Sequence, residues 1–244
     1  MHRPLPKWIV QRPIAHRGLH SAAAGIPENS IAAFEAAAAA GYPAELDVRV
    51  TRDGFAVVFH DAALGRLTGG SGEVATVDSN QLQRLRLMGT DEPVPLLVDV
   101  LEAVAGRVPL LIEIKNEGAV GGVESATLDA LAAYDGAAAV QSFHPQTLVW
   151  FARHAPERPR GLLSGDFRES EMDGEERERL RNLEYAGVAD PDFIGYDVRC
   201  LPHDAVGRLR GAGTPVLGWT VRSAAQAHAA RRHCDNIIFE GFAP

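Results

Sequence analysis

The reading of the fold turns on AELDVRVTRDGFAVVFHD, residues 44–61. Its first seven residues alternate, with Leu46, Val48 and Val50 on one face and Glu45, Asp47 and Arg49 on the other. A period of two marks a β-strand whose apolar face packs on another layer. The opposite face sets two carboxylates side by side. After an RDG turn the next segment, FAVVFHD (55–61), closes on a histidine.

Upstream, PIAHRG (13–18) reads as a short strand ending in glycine. PENSIAAFEAAAAAG (27–41) reads as a helix, capped by Asn29 or Ser30 and ended by Gly41. Downstream, residues 62–95 are polar and glycine-rich without a strong period, which predicts an insertion or lid over 61–95. LLVDVLEAVAG (96–106) is helical and VPLLIEIK (108–115) is a strongly apolar strand. The alternation then repeats, with strands at 137–143, 160–164, 192–198, 215–221 and 236–242 separated by helical segments.

With 13–17, 44–50 and 108–115 these make eight strand slots alternating with helices. That order predicts a parallel sheet with right-handed crossovers, in an α/β fold of the TIM (β/α)8 barrel type. The rival, an open doubly wound sheet, usually carries a glycine-rich phosphate loop after its first strand. Here that place holds HRGLHSAAAG, which is not GxGxxG. No repeat or linker divides residues 1–244, so one barrel domain is expected. After the last strand the sequence reads FEGFAP, so the last outer helix is missing from the pattern. The outer face of 236–242 then needs a cover, either the segment around Trp8 and Ile9 or a second copy in a homodimer.

Composition narrows the function classes. The formal charge of −8 argues against a nonspecific nucleic-acid or anionic-membrane surface. Two distant cysteines, Cys200 and Cys234, fit neither a disulfide framework nor a thiolate metal site. The start, MHRPLPKWIVQRP, has no apolar signal-peptide core, and no run approaches the ~20 apolar residues of a membrane span. A cytoplasmic protein without a membrane anchor is the expectation. Of 24 basic residues only Lys7 and Lys115 are lysines, so a lysine on an apolar strand needs a reason.

In such a barrel the active site forms at the carboxyl ends of the strands. The first strand ends in His16 and Arg17, the second carries Glu45 and Asp47, the segment after it ends in His60, and 108–115 carries Glu113 and Lys115. Taken singly, each is more often structural: a solvated carboxylate pair, a local ion pair, a helix start. Taken together, three carboxylates converging on a barrel mouth would repel. An all-oxygen donor set fits one hard divalent cation, Mg²⁺, Ca²⁺ or Mn²⁺.

The run AHRGLH…PENSIAAFEAA…GYPAELDVRVTRDGFAVVFHDAALGRLTGGSGEV…VPLLIEIK resembles the glycerophosphodiester phosphodiesterase family, and VQSFHPQTLVWFARHAP and PVLGWTV extend the likeness. The resemblance implies a TIM barrel with a small insertion after the second strand. It implies that Glu45, Asp47 and Glu113 hold one divalent cation and that His16 and His60 are the general acid and base. It implies that Arg17 and Lys115 meet the phosphate and that Trp219 faces the glycerol or alcohol moiety. The implied reaction is metal-dependent hydrolysis of a small glycerophosphodiester to glycerol 3-phosphate and an alcohol. The alternatives are a lysophospholipase D acting on lipid phosphodiesters, which an apolar lid would favour, and a catalytically silent phosphodiester-binding barrel. A further rival, another barrel metallohydrolase, would usually show an HxH at a strand end, and none is present.

Overall fold

The computed structural model describes residues 5–168 and 172–244. It divides into two compact units, Ala15–Ala138 and, separately, the residues before Ala15 with Ala139–Pro244. The chain opens with α1 (Trp8–Gln11) and β1 (Ile14–Ala15).

The first unit continues with α2 (Ile31–Ala40), β2 (Ala44–Val50), β3 (Ala56–Val58), α3 (Gly65–Thr68), α4 (Ser79–Leu82), α5 (Leu97–Val104), β4 (Leu110–Ile114) and α6 (Gly122–Leu131). Helix α2 begins where Ser30 Oγ accepts the Ala33 N–H at 3.1 Å and ends at Gly41 in the left-handed region, φ 70°. Strand β2 lies between β1 and β4 and is parallel to both. In that register Asp47 stands opposite Glu113, and Glu45 is two residues back on the same face of β2. The expected strands thus appear with slightly different ends.

The segment 55–61 differs in kind. Its core is β3, which turns back and pairs antiparallel with the end of β2, Val48 opposite Val58. The Phe59 N–H then donates to the Asp47 carbonyl at 3.0 Å, so the chain leaves the hairpin at His60, next to the carboxylates.

The insertion is not the polar excursion that its composition suggests. Leu64, Leu67, Val74, Leu82, Leu87 and Val94 are buried together with Val57 and Phe59 in a core of their own. Short helical turns and irregular backbone place these residues at uneven spacings, which hides them from a search for periodicity.

The second unit contains β5 (Ala138–Ser142), α7 (Pro145–His154), β6 (Arg160–Ser164), α8 (Gly174–Arg181), α9 (Ala186–Ala189), β7 (Phe193–Asp197), α10 (Asp204–Gly211), β8 (Val216–Val221), α11 (Ala224–Ala230) and β9 (Asn236–Phe239). β5 to β9 pair in sequence order, each parallel to the next. Among the described residues no helix follows β9, as the sequence pattern implied. Even so, all four β9 residues are buried. Phe242 folds back edge-on against Phe239, and the Asn236 amide donates to the carbonyls of Ile9 and Arg12 at 2.8 and 2.7 Å. The N-terminal segment is therefore tied to β9, and burying that strand needs no second copy of the chain.

Candidate active site

The register of β2 and β4 builds the centre of the site. Glu45, Asp47 and Glu113 are buried, and one carboxylate oxygen from each lies within 4.8 Å of the others. Lys115 Nζ sits 3.0 Å from Asp47 Oδ1 and 2.5 Å from Glu113 Oε1. This gives a reason for a lysine in a chain whose basic residues are nearly all arginine: a compact ammonium fits between two carboxylates. Arg17 Nε lies 3.3 Å from Asp47 Oδ2, and its backbone N–H donates to Glu45 Oε2 at 3.0 Å. His16 Nε2 is 4.0 Å from that same Glu45 oxygen.

The HRG turn holds this edge. Arg17 has a left-handed backbone, φ 55°, and Gly18 follows at φ 77°. A Cβ on Gly18 would stand 2.8 Å from the carbonyl carbon and the Cβ of Ala33. Glycine is needed there for both conformation and space.

The charges are unequal in effect. Burial pushes the Glu45 carboxyl well above its ordinary range, and Asp47 and Glu113 add to the shift. Burial likewise raises Glu113, with Lys115 opposing and Asp47 assisting. Asp47 goes the other way: burial disfavours its charge, but Lys115 and Arg17, with both histidines behind them, hold it ionised. Burial would lower Lys115, yet Asp47 and Glu113 keep it charged. Two of the three carboxylates thus hold protons readily when no cation lies between them, and the donor set is all hard oxygen. Asp47 Oδ1 and Glu113 Oε1 are also buried without a properly directed hydrogen bond. These features fit a hard divalent cation.

His60 is fixed from two sides. Its carbonyl accepts Arg49 Nε–H at 2.8 Å, and its Nδ1 lies 2.6 Å from Asp61 Oδ1. Burial lowers its imidazole to about 4, with Lys115 and Arg17 adding to the effect and Asp47 opposing it. The ring is neutral at ordinary pH. With Nδ1–H donated to Asp61, Nε2 is the proton acceptor.

Four residues of this unit were not picked out from the sequence. Asn29, read as an alternative helix cap, has φ 57°, and its Nδ2 donates to Asp47 Oδ2 at 2.8 Å. Glu28 pairs with Arg17 Nη1 at 2.6 Å, Asp61 holds the His60 ring, and Arg66 on α3 bridges Glu28 and Asp61. One signal was available: a helix needs a single cap, and with Ser30 in that role the polar pair Glu28 and Asn29 is left over. Trp219 is carried by the other unit, on β8. There it packs edge-on against Phe143 at 5.4 Å, and Phe143 packs edge-on against Phe167 at 5.8 Å.

Comparison with known proteins gives the family and the fold. The glycerophosphoryl diester phosphodiesterase family model matches residues 16–239. The chain belongs to that family. A glycerophosphodiester phosphodiesterase of Caldanaerobacter subterraneus is 34% identical over 164 residues, 62% of this chain and 65% of the relative. One from Bacillus subtilis is 26% identical over 238 residues, 88% of this chain and 78% of the relative. The chain thus matches about two thirds of the length of several curated relatives. Among solved structures, an Oleispira antarctica phosphodiesterase in complex with the product sn-glycerol-3-phosphate superposes with TM-score 0.80 at 23% identity, covering 95% of this chain and 93% of that one. A Thermotoga maritima glycerophosphodiester phosphodiesterase gives TM-score 0.72 at 25% identity, covering 93% and 92%. The fold class is the TIM barrel of these structures, as the alternation of strands and helices predicted.

Proposed function

We propose that this chain hydrolyses small glycerophosphodiesters to glycerol 3-phosphate and an alcohol, with one divalent cation held by Glu45, Asp47 and Glu113. The observation that carries the reading is the buried carboxylate triad, with Lys115 and Arg17 against it and a neutral, oriented His60 beside it. Family membership supports the same chemistry, and a structural neighbour was solved with sn-glycerol-3-phosphate.

A cation in this site supplies electrophilic activation of the phosphoryl group and stabilises charge developing on its oxygens. The protein does the rest. Arg17 and Lys115 orient the phosphate. His60 Nε2 takes the proton of the attacking hydroxyl, and His16 delivers a proton to the leaving alkoxide. The attacking group is the substrate's own neighbouring glycerol hydroxyl, because an intramolecular nucleophile needs no second molecule to be ordered. The cyclic phosphate so formed is opened by water, with the histidine roles reversed. Trp219 is assigned to the glycerol or alcohol moiety on the family resemblance, and its aromatic neighbours give it an apolar setting.

Small polar substrates are favoured over lipid-tailed ones because most of the large apolar side chains of the insertion pack in its own core, although Met88 is exposed. Among the described residues no helix is long and apolar enough to cross a membrane. The test is a coupled assay of glycerol 3-phosphate release from a panel of glycerophosphodiesters and lysophospholipids, with chelator and with each metal added back. Release from the small diesters that stops with chelator is expected. Turnover of lysophospholipids alone, or of nothing, would overturn the proposal.

A further inference from the structure

The structure assigns to Arg66, a residue of the insertion, the task of positioning His60 and Arg17 together through a single guanidinium. The assignment rests on the reading of His60 and Arg17 given above.

The geometry is specific. Arg66 Nε and Nη2 reach Asp61 Oδ2 and Oδ1 at 2.6 and 3.0 Å, while Nη1 and Nη2 reach Glu28 Oε2 and Oε1 at 3.0 and 2.8 Å. Both carboxylates are gripped by pairs of N–H groups, one on each edge of the same planar fork. Each of them also holds a residue of the site: Asp61 the His60 ring at Nδ1, Glu28 the Arg17 guanidinium at Nη1. Arg66 thus links a continuous chain of hydrogen bonds and ion pairs that runs from His60 through Asp61 and Glu28 to Arg17.

Its value is in position more than in stability. Arg66 is 48% exposed, and exposed ion pairs contribute little to folding. The groups it fixes are far less exposed, with Glu28 at 13% and Arg17 at 16%. Without the fork, Asp61 can rotate away from Nδ1, which frees the ring to turn and to change tautomer. Glu28 is left to Arg17 alone and draws it from the phosphate. A lysine has one charged point and cannot hold both carboxylates by their edges.

The test combines kinetics with a measurement that needs no turnover. Arg66→Ala should lower kcat ~10-fold and raise KM, with an unfolding midpoint within ~4 °C of the parent. In an Asp61→Asn background the same change should alter kcat less than ~2-fold while KM still rises, because the route to His60 is already cut. Arg66→Lys should resemble Arg66→Ala, and it carries the test if the alanine variant does not fold. Arg84→Ala, at an exposed arginine of the insertion, should be neutral. By NMR the His60 imidazole should titrate lower in Arg66→Ala, because the Asp61 hydrogen bond that favours its protonated form is loosened. The other charged groups acting on the ring, Asp47, Lys115, Arg17 and Asp61, together with Glu117 nearby, are retained in that variant. An unmoved titration, kcat losses that multiply in the double variant, or wild-type kinetics in Arg66→Lys would each overturn the assignment. If the parent hydrolyses no diester, the proposed function fails instead, and the titration still decides the role of Arg66.

Discussion

Replacing Lys115 by methionine should destabilise the metal-free protein, and a divalent cation should remove most of the difference. The ammonium lies 3.0 Å from Asp47 Oδ1 and 2.5 Å from Glu113 Oε1, both buried. Removing one partner of a buried ion pair typically costs ~3–5 kcal/mol, because a charge is left without a counterion. The low end applies here. Glu113 already tends to hold a proton and can neutralise itself, and Asp47 keeps Arg17 and the Asn29 amide. At ~2–4 °C per kcal/mol for a chain of this size, ~3 kcal/mol lowers the unfolding midpoint by ~6–12 °C in chelator. Methionine matches the length of the lysine stem, so lost packing contributes little. Differential scanning fluorimetry in chelator, then in magnesium, calcium or manganese, reads both parts. The cation should raise the variant's midpoint more than the parent's, since it restores the missing positive charge. Equal midpoints in chelator, or equal gains from the cation, would refute the electrostatic reading of this lysine.

His60→Ala should lose ~10²–10⁴ in kcat, the usual worth of a general base, whereas His154→Ala, at an exposed ring on α7, should stay near the parent; comparable losses would remove His60 from the mechanism. In a His60→Ala background the metal-free protein should lose stability as pH rises from about 4.5, because Glu45 and Glu113 have raised folded-state values and bind protons that the unfolded chain has released; the lowered His60 imidazole of the parent acts in the opposite direction up to about 6.5. Chemical denaturation in chelator across that range checks the sign. Gly18→Ala should lower the unfolding midpoint by at least ~4 °C, since a left-handed alanine costs ~1–2 kcal/mol and its Cβ meets Ala33; a neutral result would show that the HRG turn relaxes freely. A substrate analogue without the 2-hydroxyl should bind but turn over very slowly, and turnover near the parent rate would make water the nucleophile.

Much of this was legible in the sequence because strand periodicity fixes sides. Once Leu46 and Val48 face away, Glu45 and Asp47 share a face, and the parallel register brings Glu113 opposite Asp47. What escaped was whatever depends on irregular backbone. Asn29 reaches Asp47 only because its φ is +57°, and no pattern announces that. The core of the insertion is apolar but aperiodic. The hairpin of β2 and β3 was concealed because 55–61 could be read as a strand without its direction being known. Arg66 lies 38 residues from Glu28, a separation that no local rule spans.

The charges of the site make a final argument for its occupant. Around the carboxylate triad stand Glu28, Glu45, Asp47, Asp61 and Glu113, with Arg17, Arg66 and Lys115 paired against them. Five carboxylates against three permanent cations leave two negative charges, of which a protonated His16, 4.0 Å from Glu45, would offset one. Arg49 and Glu117, at the edge, cancel each other. The neutral His60 adds nothing. A divalent cation, as proposed, would offset that remainder. Without it, protons on Glu45 and Glu113 do, and those are the two groups whose proton affinity is raised. Protons and cation therefore compete for the same two charges. On the proposed reading, cation uptake should release protons and apparent affinity should rise with pH. The proposed divalent occupant is favoured by this excess of buried negative charge, which burial makes expensive to leave unpaired.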